Sequence, residues 1–121
     1  MLGESSHSAG AVYLNRARRI EELRRAALTA QMRIPAIRRI ILFGSLVTGS
    51  ATPRSDADIL VVLEDSSHDQ PRDRVPEVLR ALSPLPCPLD LFVLTSAEVE
   101  RYQAEGSPLL RIAVSEGMDL L

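Results

Sequence analysis

The chain has 121 residues, a hydrophobic content of 45% and a formal net charge of −2. That is the size of one domain around one core, with no overall field to draw it to nucleic acid or a membrane surface. All 14 basic residues are arginine, which excludes a phosphate-loop lysine, a Schiff-base lysine and a lysine nucleophile.

A single cysteine, Cys87, allows no intrachain disulfide and fits a reduced, cytoplasmic setting. No apolar run reaches the roughly 18 residues of a membrane span. The opening "MLGESSHSAG" lacks the apolar centre of a signal peptide. It reads as a flexible leader over 1–10, ahead of a single domain over 11–121.

From Ala11 to Met32 the apolar residues Tyr13, Ala17, Ile20, Leu23, Ala27 and Met32 recur at helical spacing. Arg16, Arg18, Arg19, Arg24 and Arg25 populate the other faces, and the expectation for them is a solvated helix surface. Pro35 closes this helix. "IRRIILF", Ile37 to Phe43, is β-branched and stops at Gly44, so it reads as a strand. Residues 45 to 50 form a turn of helix or a tight connection, and "SATPRS" is a loop. "DADILVVLE" is a second strand, apolar on both faces from Ile59 to Leu63, and so expected to be central in its sheet. "DSSHDQPRD" reads as a loop and Val75 to Leu82 as a helix turning Val75, Val78, Leu79 and Leu82 inward. Three prolines keep "SPLPCP" extended. "LDLFVL", Leu89 to Leu94, is a third strand. Thr95 or Ser96 caps a helix over Ala97 to Ala104, with Glu98 and Glu100 where the helix dipole favours acids. Leu109 to Glu116 is a last helix, broken by Gly117. Strands alternating with helices predict an α/β (α+β) fold, a small mixed sheet of three to four strands covered by helices.

Asp56 and Asp58 stand two apart at the mouth of the second strand, so their side chains share a face. Carboxylates that close repel one another, and a divalent cation offsets the repulsion. Mg²⁺ is hard, takes oxygen ligands, and is commonly held by one or two carboxylates together with substrate phosphates. Asp90 lies inside an apolar strand, where an unpaired charge is costly. If that strand neighbours the one after Asp58, Asp90 completes a three-carboxylate cluster. Gly44 and Ser45 end the first strand; glycine lets backbone approach a phosphate, and the turn into a helix offers N–H donors. Each element alone is weak, since a lone Asp-x-Asp is most often a cap or loop. The information is in the combination and its order.

Gly44-Ser45, ten residues, then Asp56-Ala57-Asp58 resembles the signature of the DNA polymerase β-like nucleotidyltransferase superfamily. The small size and the run "SDADILVVL" resemble its minimal nucleotidyltransferase (MNT) branch, the antitoxin-type proteins paired with HEPN-domain partners. The likeness covers roughly Ile37 to Leu94, with a weaker match in "LLRIAVSEGMDLL". It implies the polymerase β-like fold, with Gly44 and Ser45 binding a nucleoside triphosphate, most simply ATP. Asp56 and Asp58 would hold Mg²⁺, and Asp90 would be the third carboxylate, helping to deprotonate the acceptor hydroxyl. AMP would pass to a protein hydroxyl, a tyrosine of a cognate HEPN toxin, with the chain acting as antitoxin in a hetero-complex. Direct nucleic-acid binding and membrane binding are not expected.

One position departs from the branch. Thr48 stands where members carry an arginine before the second glycine of the motif, and threonine offers no guanidinium. Arg54, close in sequence, is the candidate to replace it. Two alternatives follow: a non-catalytic antitoxin that neutralises its partner by docking, and a small-molecule nucleotidyltransferase. The latter usually adds an acceptor-binding domain, and only about 27 residues follow Leu94. His7 and His68 lie in polar stretches with nothing to bring them together, Cys87 reads as a packing residue, and Tyr102 as an ordinary helix tyrosine.

Overall fold

The computed structural model describes residues 2–48 and 57–121, with side chains from Asn15 onward. Its elements are α1 (Leu2–Arg33), β1 (Ile37–Phe43), α2 (Ser45–Thr48), β2 (Ala57–Leu63), α3 (Pro71–Leu82), β3 (Leu89–Thr95), α4 (Ser96–Ala104), α5 (Pro108–Glu116) and β4 (Met118–Asp119). The sheet has the order β3-β2-β1-β4. β1 runs antiparallel to β2 and β4, whereas β2 and β3 are parallel. The expected mixed sheet is therefore present, and β2 is interior as its two-sided apolar pattern required.

β2 alternates between two packed layers. Ala57, Ile59, Val61 and Leu63 join Leu23, Ala27 and Ala30 of α1 and Val78, Ala81 and Leu82 of α3 on one face. Leu60 and Val62 meet Ile41, Phe43, Leu94, Leu110 and Ala113 on the other, beneath α4 and α5. Each large side chain so buried contributes about 1.5–3 kcal/mol relative to exposure. β1 carries a bulge: Ile37 pairs with Leu63 but Arg39 with Val62, leaving Arg38 extra. The bulge lets Ile37 and Ile40 share the first layer although they are three residues apart. Arg38 then reaches Glu64 at 2.7 Å on the surface.

Several expectations are corrected. The apolar stripe of α1 is Ile20, Leu23, Ala27 and Ala30, continued by Ile34 just past its end, not one ending on Met32. Met32 is five residues beyond Ala27, about 140° round the helix, and is 84% exposed; Ala17 is exposed too. α1 begins at Leu2. α3 begins at Pro71 within the segment read as a loop, because proline at the first helical position has no intrahelical bond to lose. Two-residue β4 was not anticipated. It pairs with Ile41 and Leu42, and Gly117 makes the approach feasible: a Cβ there would sit 2.5 Å from Ile41 Cγ2 and closer still to the Ala113 carbonyl oxygen. Among the described residues no helix is long and apolar enough to cross a membrane.

The arginines of α1 are not simply solvated. Arg16 donates to the carbonyls of Leu46, at 2.6 Å, and Val47. Arg19 donates to the Pro86 carbonyl. Arg33 reaches the carbonyls of Ala81 and Ser83 at 3.2 and 2.8 Å, closing the end of α3. Carbonyls at helix C-termini lack intrahelical donors, and a guanidinium supplies several at once. Arg25, by contrast, stays on the surface beside Glu21.

Candidate active site

β1 ends, and β2 and β3 begin, at one edge of the sheet. In the sheet register Phe43 pairs with Asp58, and Asp58 pairs with Asp90. Partners in neighbouring strands lie roughly 4.8 Å apart and share a face, so Asp58 and Asp90 project side by side. They project on the face of Leu60, Val62 and Leu94, beyond the reach of α4 and α5. Asp58 is half-buried and Asp90 exposed. Like charges set directly opposite across strands are destabilising, so this pairing is not explained by stability. The conditional expectation that the strand of Asp90 neighbours that of Asp58 is met.

Gly44 completes the corner. Its φ is +84°, in the left-handed region that side chains rarely adopt. A Cβ at this position would strike Oδ2 of Asp58 and lie 3.2 Å from its Cγ. Gly44 is thus the only size of residue that lets the backbone close onto that carboxylate. The chain then enters α2 at Ser45, with the amides of Val47 and Thr48 donating to the Gly44 carbonyl at 3.1 and 3.2 Å. Arg16 holds the other end of this short helix through the Leu46 and Val47 carbonyls. Thr48 Oγ1 donates to the Ser45 carbonyl at 3.4 Å. Of the candidate site residues, Gly44, Ser45, Asp58 and Asp90 are brought to one corner, whereas Arg54 and Asp56 lie outside the described residues.

Two further residues line this face. Phe43 and Phe92 have ring centroids 6.0 Å apart. Phe43 is buried, but Phe92 is 37% exposed although it sits mid-strand. Farther along, at the opposite ends of β2 and β3, Arg74 and Glu98 form a buried ion pair at 2.5 Å, with side chains 5% and 13% exposed. Arg74 also donates to the carbonyls of His68 and Val93. Glu98 accepts from the Thr95 amide at 2.8 Å while Thr95 Oγ1 accepts from the Glu98 amide, a complete capping box. Burial pushes the Glu98 carboxyl up, but the hydrogen bond and charge of Arg74 and the bonds from Thr95 outweigh it, and its pKa falls below the ordinary value. This pair braces the sheet away from the candidate site.

The model of the nucleotidyltransferase domain family matches residues 20–116. The chain belongs to that family. The nucleotidyltransferase resembles a crystal structure from Sulfolobus solfataricus described as a candidate nucleotidyltransferase, with a TM-score of 0.63, 20% identity, and coverage of 89% of this chain and 84% of that one. It also resembles a toxin–antitoxin complex with AMP-PNP, with a TM-score of 0.54, 25% identity, and coverage of 81% and 72%. A looser likeness, TM-score 0.40 at 25% identity over 91% and 71% of the two chains, is to a tri-AMPylated Shewanella oneidensis HEPN toxin with its MNT antitoxin. No curated protein matches the sequence.

The signal that could have found Arg16 was present but ambiguous. An arginine on an amphipathic helix reads as solvated unless the chain is known to fold a helix end beneath it. Phe92 was legible only as one more apolar strand residue.

Proposed function

We propose that this nucleotidyltransferase moves AMP from ATP to a hydroxyl of a HEPN-type toxin, acting as its antitoxin in the cytoplasm. The observation that carries the reading is the pairing of Asp58 with Asp90 at an open end of the sheet, directly beside Gly44. The solved toxin–antitoxin complex with AMP-PNP supports the nucleotide and the kind of partner.

The residues fit a divalent cation. Two oxygen-donor side chains stand in register, and Gly44 leaves open the space that a Cβ would fill against Asp58. Asp58 and Asp90, with Asp56 from the same motif, would hold Mg²⁺. When bound, the ion supplies positive charge where the phosphates and the leaving pyrophosphate gather negative charge. The chain's own work is the rest. Gly44 and Ser45 receive the triphosphate at the start of α2, and Arg16 fixes that turn from behind. Arg54, close in sequence to the motif, would supply the guanidinium that Thr48 lacks. A carboxylate oxygen of Asp90 takes the proton of the acceptor hydroxyl, whose oxygen bonds to the α-phosphorus as the bond to pyrophosphate breaks.

The test is incubation with labelled ATP, Mg²⁺ and the cognate toxin. Label on the toxin with wild type, and little with Asp56→Asn/Asp58→Asn, supports the reading. Equal labelling by both proteins, or none by either, contradicts it. Neutralisation by docking alone predicts that the double variant still protects cells from the toxin.

A further inference from the structure

Residues 83–88, "SPLPCP", lead into β3 and so decide where Asp90 stands. Proline at 84, 86 and 88 leaves N–H donors only on Ser83, Leu85 and Cys87. The segment is therefore tied down through its carbonyls. Arg33 donates to the Ser83 carbonyl at 2.8 Å, Arg19 to that of Pro86, and the Ala57 amide to that of Pro88 at 3.3 Å. Burial adds little at Pro84, Leu85 and Pro88, which are exposed. Cys87 is half-buried and packs against the layer beneath α1 and α3.

The tie at Pro86 is the one that reaches the site. Between its carbonyl and Asp90 lie only Cys87, Pro88 and Leu89. The ring of Pro88 fixes its own φ and restricts Cys87 before it. Few soft torsions remain, so a displacement at Pro86 is carried on to Asp90. Asp90 has little else to hold it, being an exposed residue near the start of an outer strand. The Ala57–Pro88 bond is the first rung joining β3 to β2, and a strand end held by one rung frays.

Arg19 stands three residues from Arg16 on α1, about 4.5 Å along the helix axis. Arg16 grips α2 behind Ser45, whereas Arg19 grips the approach to β3. One turn of α1 thus spans both walls of the corner, with Asp58 on β2 between them. Glu22 lies 3.3 Å from the Arg19 guanidinium, with side chains 38% and 40% exposed. A pair so exposed adds little stability, but it aims the guanidinium.

We propose that Arg19 is a positioning residue: by fixing the Pro86 carbonyl it holds Asp90 in register beside Asp58. The inference rests on the proposed transfer reaction. It divides the work of α1 between two kinetic constants. Arg16 acts on the wall that receives the triphosphate, and Arg19 on the carboxylate that takes the acceptor's proton.

Cys87 is the single cysteine of the chain and follows the tied carbonyl directly. Its thiol reports on the tether whether or not nucleotide is transferred. Its rate of modification by a chromogenic disulfide reagent is measured under native conditions in the full chain, as wild type, Arg19→Ala, Arg19→Lys and Arg16→Ala. The same proteins are assayed for kcat and for the KM of ATP in transfer to the cognate toxin. Arg19→Ala should raise the Cys87 rate about 10-fold, the factor expected when a segment that opens locally loses a charged hydrogen bond. It should lower kcat about 10-fold and keep the KM for ATP within about twofold. Arg19→Lys keeps a donor for the one carbonyl and should lie between wild type and Arg19→Ala. Arg16→Ala should leave the Cys87 rate at its wild-type value and raise the KM for ATP. An unchanged Cys87 rate in Arg19→Ala overturns the tether, and a faster thiol at wild-type kcat overturns its part in transfer. An equal rise in Arg16→Ala would signal general loosening and overturn the assignment as well. Should wild type transfer no nucleotide while Arg19→Ala uncovers the thiol, the transfer reading fails and the Pro86 tether stands.

Discussion

Replacing Gly44 with alanine tests how the corner is built. The residue sits at φ +84°, where a side chain costs about 1–2 kcal/mol. The new methyl also lands on Oδ2 of Asp58 and within 3.5 Å of its Cγ and Cβ. The carboxylate must rotate away, and an off-rotamer side chain adds about 0.5–1.5 kcal/mol. Together these predict a loss of about 2–3 kcal/mol, or roughly 6–15 °C in Tm for a domain of this length. Differential scanning calorimetry on wild type, Gly44→Ala, Asp58→Ala and the double variant separates the two parts. Removing the Asp58 side chain should relieve the collision but not the backbone strain, so the double variant should be more stable than the sum of the singles by about 1 kcal/mol. The same substitution should abolish Mg²⁺-dependent binding of a non-hydrolysable ATP analogue, because the displaced carboxylate no longer faces Asp90. A Gly44→Ala protein with unchanged Tm and unchanged nucleotide binding would refute the reasoning.

Other expectations follow from the side chains around the sheet. Arg16→Ala removes the donor from the Leu46 and Val47 carbonyls. It should weaken binding of the ATP analogue about 10-fold by titration calorimetry while kcat at saturating ATP is nearly kept, since charged hydrogen bonds of this kind contribute about 1.5–3 kcal/mol. Arg16→Lys should recover only part, as an ammonium lacks the fork that spans two carbonyls. Arg74→Met strands the buried Glu98 carboxylate and should cost about 3–5 kcal/mol at neutral pH in urea unfolding. The folded pKa of Glu98 is depressed from its ordinary 4.5. Its contribution is therefore fully present above about pH 4.5 and is lost as pH falls through the folded value. Urea midpoints measured across that acid range should fall more steeply for wild type than for Glu98→Gln, and parallel curves would remove Glu98 from the acid response.

The sheet was largely legible because its strands are short apolar blocks punctuated by glycine and proline. Ile37 to Phe43 was bounded by Pro35 and Gly44, and the two-sided apolar run from Ile59 to Leu63 announced an interior strand. A cap at Thr95 or Ser96 was legible for the same local reason, and the structure settles on Thr95 with Glu98 bonding back to it. What escaped depended on contacts between distant segments. Arg74 looks like a loop charge in the sequence, and only folding brings Glu98 to it across 24 residues. The clamp of Arg16 on α2 spans 30. β4 is too short for any periodicity. At the candidate site, the motif spacing brought Gly44, Ser45, Asp58 and Asp90 into view, because strand geometry makes same-face placement a matter of counting. The exposure of Phe92 was not countable, since it depends on where α4 and α5 stop covering the sheet.

The central claim is that the carboxylates paired across β2 and β3 carry nucleotidyl transfer. The most direct measurement is the initial rate of labelled AMP transfer from ATP to the cognate toxin, with Mg²⁺, by wild type, Asp58→Asn and Asp90→Asn. Both variants should stay folded, with circular dichroism and cooperative unfolding like those of wild type, while the rate falls at least 100-fold. Folded variants that label the toxin at the wild-type rate would contradict the account.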